Sequence, residues 1–268
     1  MMNRSIPSMS AALAVAVVAC SSGTMPPAGS PAPAPATAMA SSTPVTRTGS
    51  SSTSPEVRMI RFEGGRLHPE GHQDEVVEVA PFLIDATEVT AGAYAACVGA
   101  GVCKEPGSTG TCTFGAADKK NYPINCVSWD EAVTYSQWVG KRLPTEAEWE
   151  WAARGGAAAR RFPWGDDMPV DQACWNGLGN RAVKGQRDGP CPVGAFPAGN
   201  SPEGLLDMAG NVQEWTSTVW KEKARICRGG SWFHEDFEDL LTSRRASYSV
   251  TFRDNAIGFR CVRTPSPN

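Results

Sequence analysis

Two groups of residues in this 268-residue chain have types and spacings that could do chemistry: the cysteines and one acidic, glycine-containing loop. Of nine cysteines, Cys20 closes a leader-like segment and eight remain, an even number in a chain that reads as exported. Disulfides are therefore the default reading. Cys97 and Cys103 flank Gly99 and Gly101, which allow a tight loop; Cys112 and Cys126 would close the next loop, and Cys174 and Cys191 the Trp-Asn-Gly loop. Zinc is disfavoured, because no C-x-x-C occurs and the histidines, at 68, 72 and 234, stand far from paired cysteines. In LLDMAGNVQEW, Asp207, Glu214 and the carbonyls of Gly210 and Val212 could converge on one cation, since a bent loop turns alternate oxygens inward. Hard oxygen donors of that kind suit calcium. The alternative is an acidic loop in which Glu214 accepts backbone hydrogen bonds.

The elements that must hold these residues begin at Val57. VRMIRFEGG and VVEVAPFLIDATEVT read as strands broken by glycine and charge. Thr90 can cap a short helix through Tyr94 to Val98. Ser128 with Glu131 three residues on forms a capping box for a helix whose apolar stripe is Trp129, Ala132, Val133 and Val139, closed by Gly140. Thr145 and Glu148 repeat the device for a second helix, and the Leu143-Pro144 turn between them is expected to pack one helix on the other. Phe162 to Asp167 (FPWGDD) reads as a structural turn with Trp164 buried. Beyond Gly156 the periodicity fades into Gly, Pro, Asn and Trp, which predicts compact, loop-rich structure dependent on disulfides, buried aromatics or metal ions.

Residues 1–20 read as an export signal: Arg4 supplies the positive start, Ala11 to Ala19 the short apolar run, and Val17-Val18-Ala19-Cys20 looks like a lipobox whose cysteine is acylated. An ordinary signal peptide is the alternative. Ser21 after the cysteine favours outer-membrane sorting. Residues 21–56 are a Ser/Pro/Ala-rich tether, 57–264 the folded domain and 265–268 a tail. The expected location is the cell envelope, as an outer-membrane lipoprotein or otherwise secreted, with membrane contact through the lipid alone. A net charge of −3 offers no basic face for nucleic acid.

The segments YPINCVSWDEAVTYSQWVGKRLPTEAEWEWAARGG, FPWGDD, PVGAFPAGNSPEGLLDMAGNVQEWTS, RGGSW and IGFRCVR, in this order, resemble the formylglycine-generating enzyme (sulfatase-modifying factor) family. The resemblance implies an irregular α+β fold related to the C-type lectin fold, low in regular secondary structure and here disulfide-stapled. It implies structural calcium at Asp207, Gly210, Val212 and Glu214, and a weaker second site at Asn176, Gly177 and Asp188. The family's chemistry uses two cysteines after the GGS motif that bind copper(I), and soft thiolates are what copper(I) selects. The matching positions here are His234 and Asp239, so no catalytic residue is expected and copper binding is not. Ser231, Arg245 and Asn255 match or neighbour positions lining the family's active cleft. In many relatives the GFRC cysteine pairs with a cysteine at the position of Ser136, which leaves Cys261 to bond Cys227. Two functions follow: a non-catalytic binding or scaffold module for an envelope protein, peptide or glycan, or an oxidase that still converts a sulfatase-type cysteine. A three-histidine iron site of the sulfoxide-synthase relatives is not expected, since the three histidines are scattered.

Overall fold

The computed structural model describes residues 57–70, 75–108, 110–177 and 187–266. The export signal, Cys20 and the tether lie outside the described residues, as do the last two residues of the tail. The first expected strand is two: β1, Met59–Phe62, and β2, Gly65–Leu67, separated where Gly64 takes a positive φ; the second is β3, Val77–Val79, and β4, Phe82–Asp85, separated at Ala80-Pro81. β1 pairs antiparallel with β4 in the register Ile60↔Ile84, and β2 with β3.

Helix α1 spans Ala91–Gly99 and is capped by Thr90, whose hydroxyl accepts from the Ala93 N–H. Helix α2, Trp129–Trp138, and helix α3, Glu146–Ala153, both carry the full capping box. The expected apolar stripe of α2 is corrected: Glu131, Ala132, Tyr135 and Ser136 are its buried residues, while Trp129, Val133 and Val139 pack only at the margin. The helices also do not form a pair across Leu143-Pro144. α2 packs on α1, and α3 lies against β3 and two later strands, β5 (Gln213–Lys221) and β6 (Ala224–Arg228).

The C-terminal half is mostly loops, as expected, but holds one long strand, β5. With β6, β7 (Arg245–Ser249) and β8 (Ile257–Gly258) it builds a sheet in the order β7-β6-β5-β8, with only β5 and β8 parallel. β9, Val262–Arg263, returns to pair with β4 and closes a small sheet β1-β4-β9. The chain between β8 and β9 thus crosses from one sheet to the other, carrying Phe259, Arg260 and Cys261 through the interior. In FPWGDD the buried ring is Phe162, not Trp164, which is half-buried and stacks on it at 5.1 Å.

Three of the expected disulfides are present: Cys97–Cys103, Cys112–Cys126 and Cys174–Cys191. The fourth is not. Cys227 and Cys261 are free and buried. Cys227 sits on β6 opposite Trp215 of β5, whereas Cys261 leaves the other end of the crossing segment with its Sγ 3.3 Å from Ser136 Oγ on α2. Each thiol faces a different neighbour, so the proposed partner strands do not bring them together.

Candidate functional site: a buried carboxylate cluster and a thiol-free cleft

Glu214 enters at the start of β5 with no solvent exposure, and Arg260 arrives from the β8–β9 crossing, also fully buried. The guanidinium grips the carboxylate twice, Nε to Oε2 and Nη2 to Oε1, each at 2.8 Å. Its other N–H groups go to the carbonyls of Asp85, Ala86 and Leu206, and Trp149 Nε1 from α3 donates to Glu214 Oε2 at 2.7 Å. A buried ion pair is tolerable only when its remaining donors and acceptors are satisfied in this way. Both oxygens of Glu214 are therefore engaged by side chains. The donors to Glu214 are the side chains of Arg260 and Trp149 rather than the backbone.

Beside this pair lie two more buried carboxyls. Asp207, in the left-handed region at φ 55°, accepts the Gly194 N–H on Oδ2 at 2.5 Å. Glu88, from the Thr87-Glu88-Val89-Thr90 run before α1, accepts from Asn211 Nδ2 on Oε1 at 2.9 Å, while its Oε2 is buried without a partner. Burial drives the Glu88 pKa well above the usual carboxylate range, and the Asp207 and Glu214 charges push it further the same way; Arg260 opposes them. Asp207 is raised too, by burial first and by Glu214. The Arg260 charge thus acts on all three carboxyls while its hydrogen bonds go to Glu214, and the Glu88 and Asp207 side chains interact with each other. Among the described residues, no three His, Cys, Asp or Glu side chains are arranged to hold a metal ion by themselves, so a cation here would need backbone carbonyls such as those of Gly210 and Val212.

At the second expected calcium site, Asn176 Oδ1 accepts the Arg187 N–H at 3.2 Å and its own N–H goes to the His234 carbonyl at 2.9 Å. Gly177 is pressed against the Trp175 ring, and Asp188 is exposed. Asn176 already spends its side-chain oxygen on the backbone.

The GGS motif leads out of β6. Gly230 takes φ 67°, and a Cβ there would stand 2.4 Å from the Asp239 carbonyl, so only glycine lets the strand end pass under the 237–240 turn. That approach gathers the expected cleft positions. Ser231 Oγ and His234 Nδ1 lie 2.8 Å apart, and His234 Nε2 is 3.9 Å from Asp239 Oδ2, whose other oxygen accepts from Arg244 Nε at 3.0 Å. Burial lowers the His234 pKa, with the Asp239 charge working against it, which leaves a neutral imidazole at neutral pH. Ser231 is completely buried, so this Ser-His-Asp sequence offers no accessible nucleophile. Asn255 is nearby but structural: its Nδ2 donates to Thr111, and its carbonyl accepts from Asn125 and from the Trp232 indole. Arg245 is not brought to this cleft. It contacts Glu146 at 3.4 Å and covers the Trp220 ring at 5.1 Å, lining a separate cavity with Glu150 and Arg228.

Among the described residues, no free thiol contacts His234 or Asp239. Burial, together with the Glu214 charge, pushes the Cys227 thiol well up; burial, together with Asp85, does the same to Cys261. Neither can furnish a thiolate. Sequence reasoning missed Glu88, Trp149, Asn211 and Arg260. Arg260 could have been found, because an arginine within Ile-Gly-Phe-Arg-Cys-Val has to be buried and so has to have a carboxylate partner.

An irregular, disulfide-stapled α+β domain with a buried Glu-Arg pair behind a GGS turn is the class that fold and site define. Residues 45–265 match the sulfatase-modifying factor enzyme 1-like domain, and the chain belongs to that family. It is 37% identical over 171 residues to the inactive C-alpha-formylglycine-generating enzyme 2 of Bos taurus, covering 59% of this chain and 55% of that one. It is 39% identical over 229 residues to the formylglycine-generating enzyme of Mycobacterium tuberculosis, covering 68% of this chain and 75% of that one. The chain spans about half the length of the mammalian relatives it matches. The fold agrees with that of CarF, at a TM-score of 0.63 and 24% identity over 79% of this chain and 99% of the other.

Proposed function

We propose that this protein is a lipid-anchored, extracytoplasmic and non-catalytic binding or scaffold module built on the formylglycine-generating-enzyme fold. One observation carries the reading: the positions that hold the family's copper thiolates are an imidazole and an arginine-paired carboxylate, His234 and Asp239, and the free thiols among the described residues, Cys227 and Cys261, are sealed in the core. Copper(I) selects soft thiolates, and one neutral imidazole does not replace two of them. The similarity to a relative named as inactive points the same way. The ligand would be an envelope protein, a peptide or a glycan. Structural calcium belongs to this proposal, with Asp207, Glu214 and the carbonyls of Gly210 and Val212 as its donors and the Glu88 carboxyl buried beside them.

The runner-up, a formylglycine-generating oxidase, is favoured by the extent of the Mycobacterium tuberculosis match. The test is to incubate the purified chain with a sulfatase-type cysteine peptide, copper(I) and oxygen. No aldehyde is expected. Aldehyde formation that disappears in Cys227→Ser would overturn the proposal and establish the oxidase.

A further inference from the structure

We infer that the cavity between the end of α3 and the Thr242 turn is a binding site for an oxyanion-bearing small molecule, distinct from the Ser231–His234 cleft. Arg154, Arg160 and Arg161 line it with Glu70 in a volume of about 530 Å³, the first two each paired to a carboxylate outside the lining, Glu150 and Glu203. Small-molecule sites run from roughly 300 to 1,000 Å³. The space thus suits a molecule larger than a single ion.

The chain is folded to bring these guanidiniums together. After α3 the run Arg154 to Arg161 turns back on itself, with the Arg160 N–H donating to the Arg154 carbonyl at 3.0 Å. Gly155 makes the return possible. It takes φ 70°, and a Cβ there would lie 2.0 Å from Arg160 Nη2, so the guanidinium packs on a bare α-carbon. Thr242 then ties the loop down, its hydroxyl donating to the Arg160 carbonyl at 2.9 Å.

The arginines are only partly satisfied by the protein. Arg154 donates through Nη1 to Glu150 and to the His68 carbonyl, and Arg160 through Nη2 to Glu203; the Nε of each is buried without a partner. Arg161 has no carboxylate on its guanidinium among the described residues; its Nη1 makes a weak contact to Met168 Sδ at 3.8 Å, and it lies over the Phe162 and Phe237 rings at 5.4 and 5.3 Å. Aromatic faces hold an arginine in place without consuming its hydrogen-bond donors. A preset, uncompensated guanidinium beside two half-used ones is what bidentate recognition of phosphate, sulfate or carboxylate requires. This reading does not depend on whether the protein is catalytic.

The purified chain should be titrated with inorganic phosphate, sulfate and acetate against chloride at equal ionic strength, following the melting temperature. Phosphate or sulfate should raise it beyond chloride. A response to acetate as well would place carboxylates in the ligand class; its absence would restrict the class to phosphate and sulfate groups. Arg161→Gln, an exposed residue without an ion pair, should fold normally and weaken the apparent affinity about tenfold. Glu70→Gln should strengthen it. Equal shifts for all four salts, or the same response from wild type and both variants, would overturn the assignment.

Discussion

Ser136→Cys should give this protein the disulfide that its free Cys261 lacks. Ser136 Oγ and Cys261 Sγ are 3.3 Å apart and both side chains are buried, so the thiol of the variant would start about 1 Å from the disulfide bonding distance of ~2.05 Å. The cross-link would join positions 125 residues apart. Closing a loop of that length in the unfolded chain is worth about 5 kcal/mol in the chain-entropy treatment, and engineered bonds commonly realise about 2–4 kcal/mol of it. For a domain of this size the melting temperature should rise by roughly 5–15 °C. Two readouts belong together: a non-reducing peptide map showing the 136–261 link, and melting with and without reductant. In wild type, Cys261 should stay alkylatable after denaturation without reductant. A variant that forms the link but melts no higher would refute the argument that the site is preorganised. Failure to form it in an oxidising buffer would refute the placement of Ser136 against Cys261.

Further outcomes follow from the buried charges and thiols. Arg260→Leu leaves Glu214 uncompensated in the core and should cost about 3–5 kcal/mol or prevent folding, measurable by urea denaturation; a loss under 1 kcal/mol would mean that the pair is not structural. In calcium-free buffer, the raised pKa values of Glu88 and Asp207 mean the folded state holds protons that the unfolded state releases. Their contribution is fully present below the ordinary carboxylate range and fades as pH rises through the raised folded values, so Glu88→Gln should flatten the fall in melting temperature as pH rises above that range. Parallel wild-type and variant curves would dismiss that account. Added calcium should offset the same fall in the wild type and less so in Glu88→Gln; no thermal response to calcium or chelator would remove calcium from the proposal. Cys227 and Cys261 should both resist a thiol reagent in the native protein and both react in denaturant, whereas rapid native labelling of either would reopen the oxidase reading.

What the sequence disclosed was mostly local. The capping boxes of α2 and α3 involve residues three apart, so Ser128 with Glu131 and Thr145 with Glu148 announce themselves. Three disulfides close short loops and were equally readable. The buried face of α2 was not, because polarity misleads there: Glu131 goes inside on a bidentate bond to Arg253, and Ser136 goes inside to meet Cys261. The Cys227–Cys261 pairing failed for a related reason. It rested on Cys261 lacking its family partner at position 136, whereas the chain between β8 and β9 crosses between two sheets and still sets Cys261 against Ser136 on α2. At the acidic loop, Glu214 was identifiable but its partner was not, since Arg260 lies 46 positions later and Asn211 reaches Glu88 across 123. Ionic matches over such separations are set by topology, and a single sequence does not display them.

The structure also separates the His234 and Asp239 positions from the packing that holds the fold. His234 and Asp239 stand in turns after β6, each about a quarter to a fifth exposed, and neither belongs to the packed clusters that hold the sheets and helices together. Their local partners are other turn residues: Ser231 for the imidazole, Arg244 for the carboxylate. The interior is tied instead by Glu214 and Arg260, by Trp149 and Trp215, and by the tight passage at Gly229-Gly230, all in segments that resemble the family motifs. Side-chain changes at 234 and 239 would therefore leave each of these contacts in place. The segments that carry the fold and the two turn positions are thus energetically separable here, which is why replacing either turn side chain should shift the melting temperature far less than Arg260→Leu does.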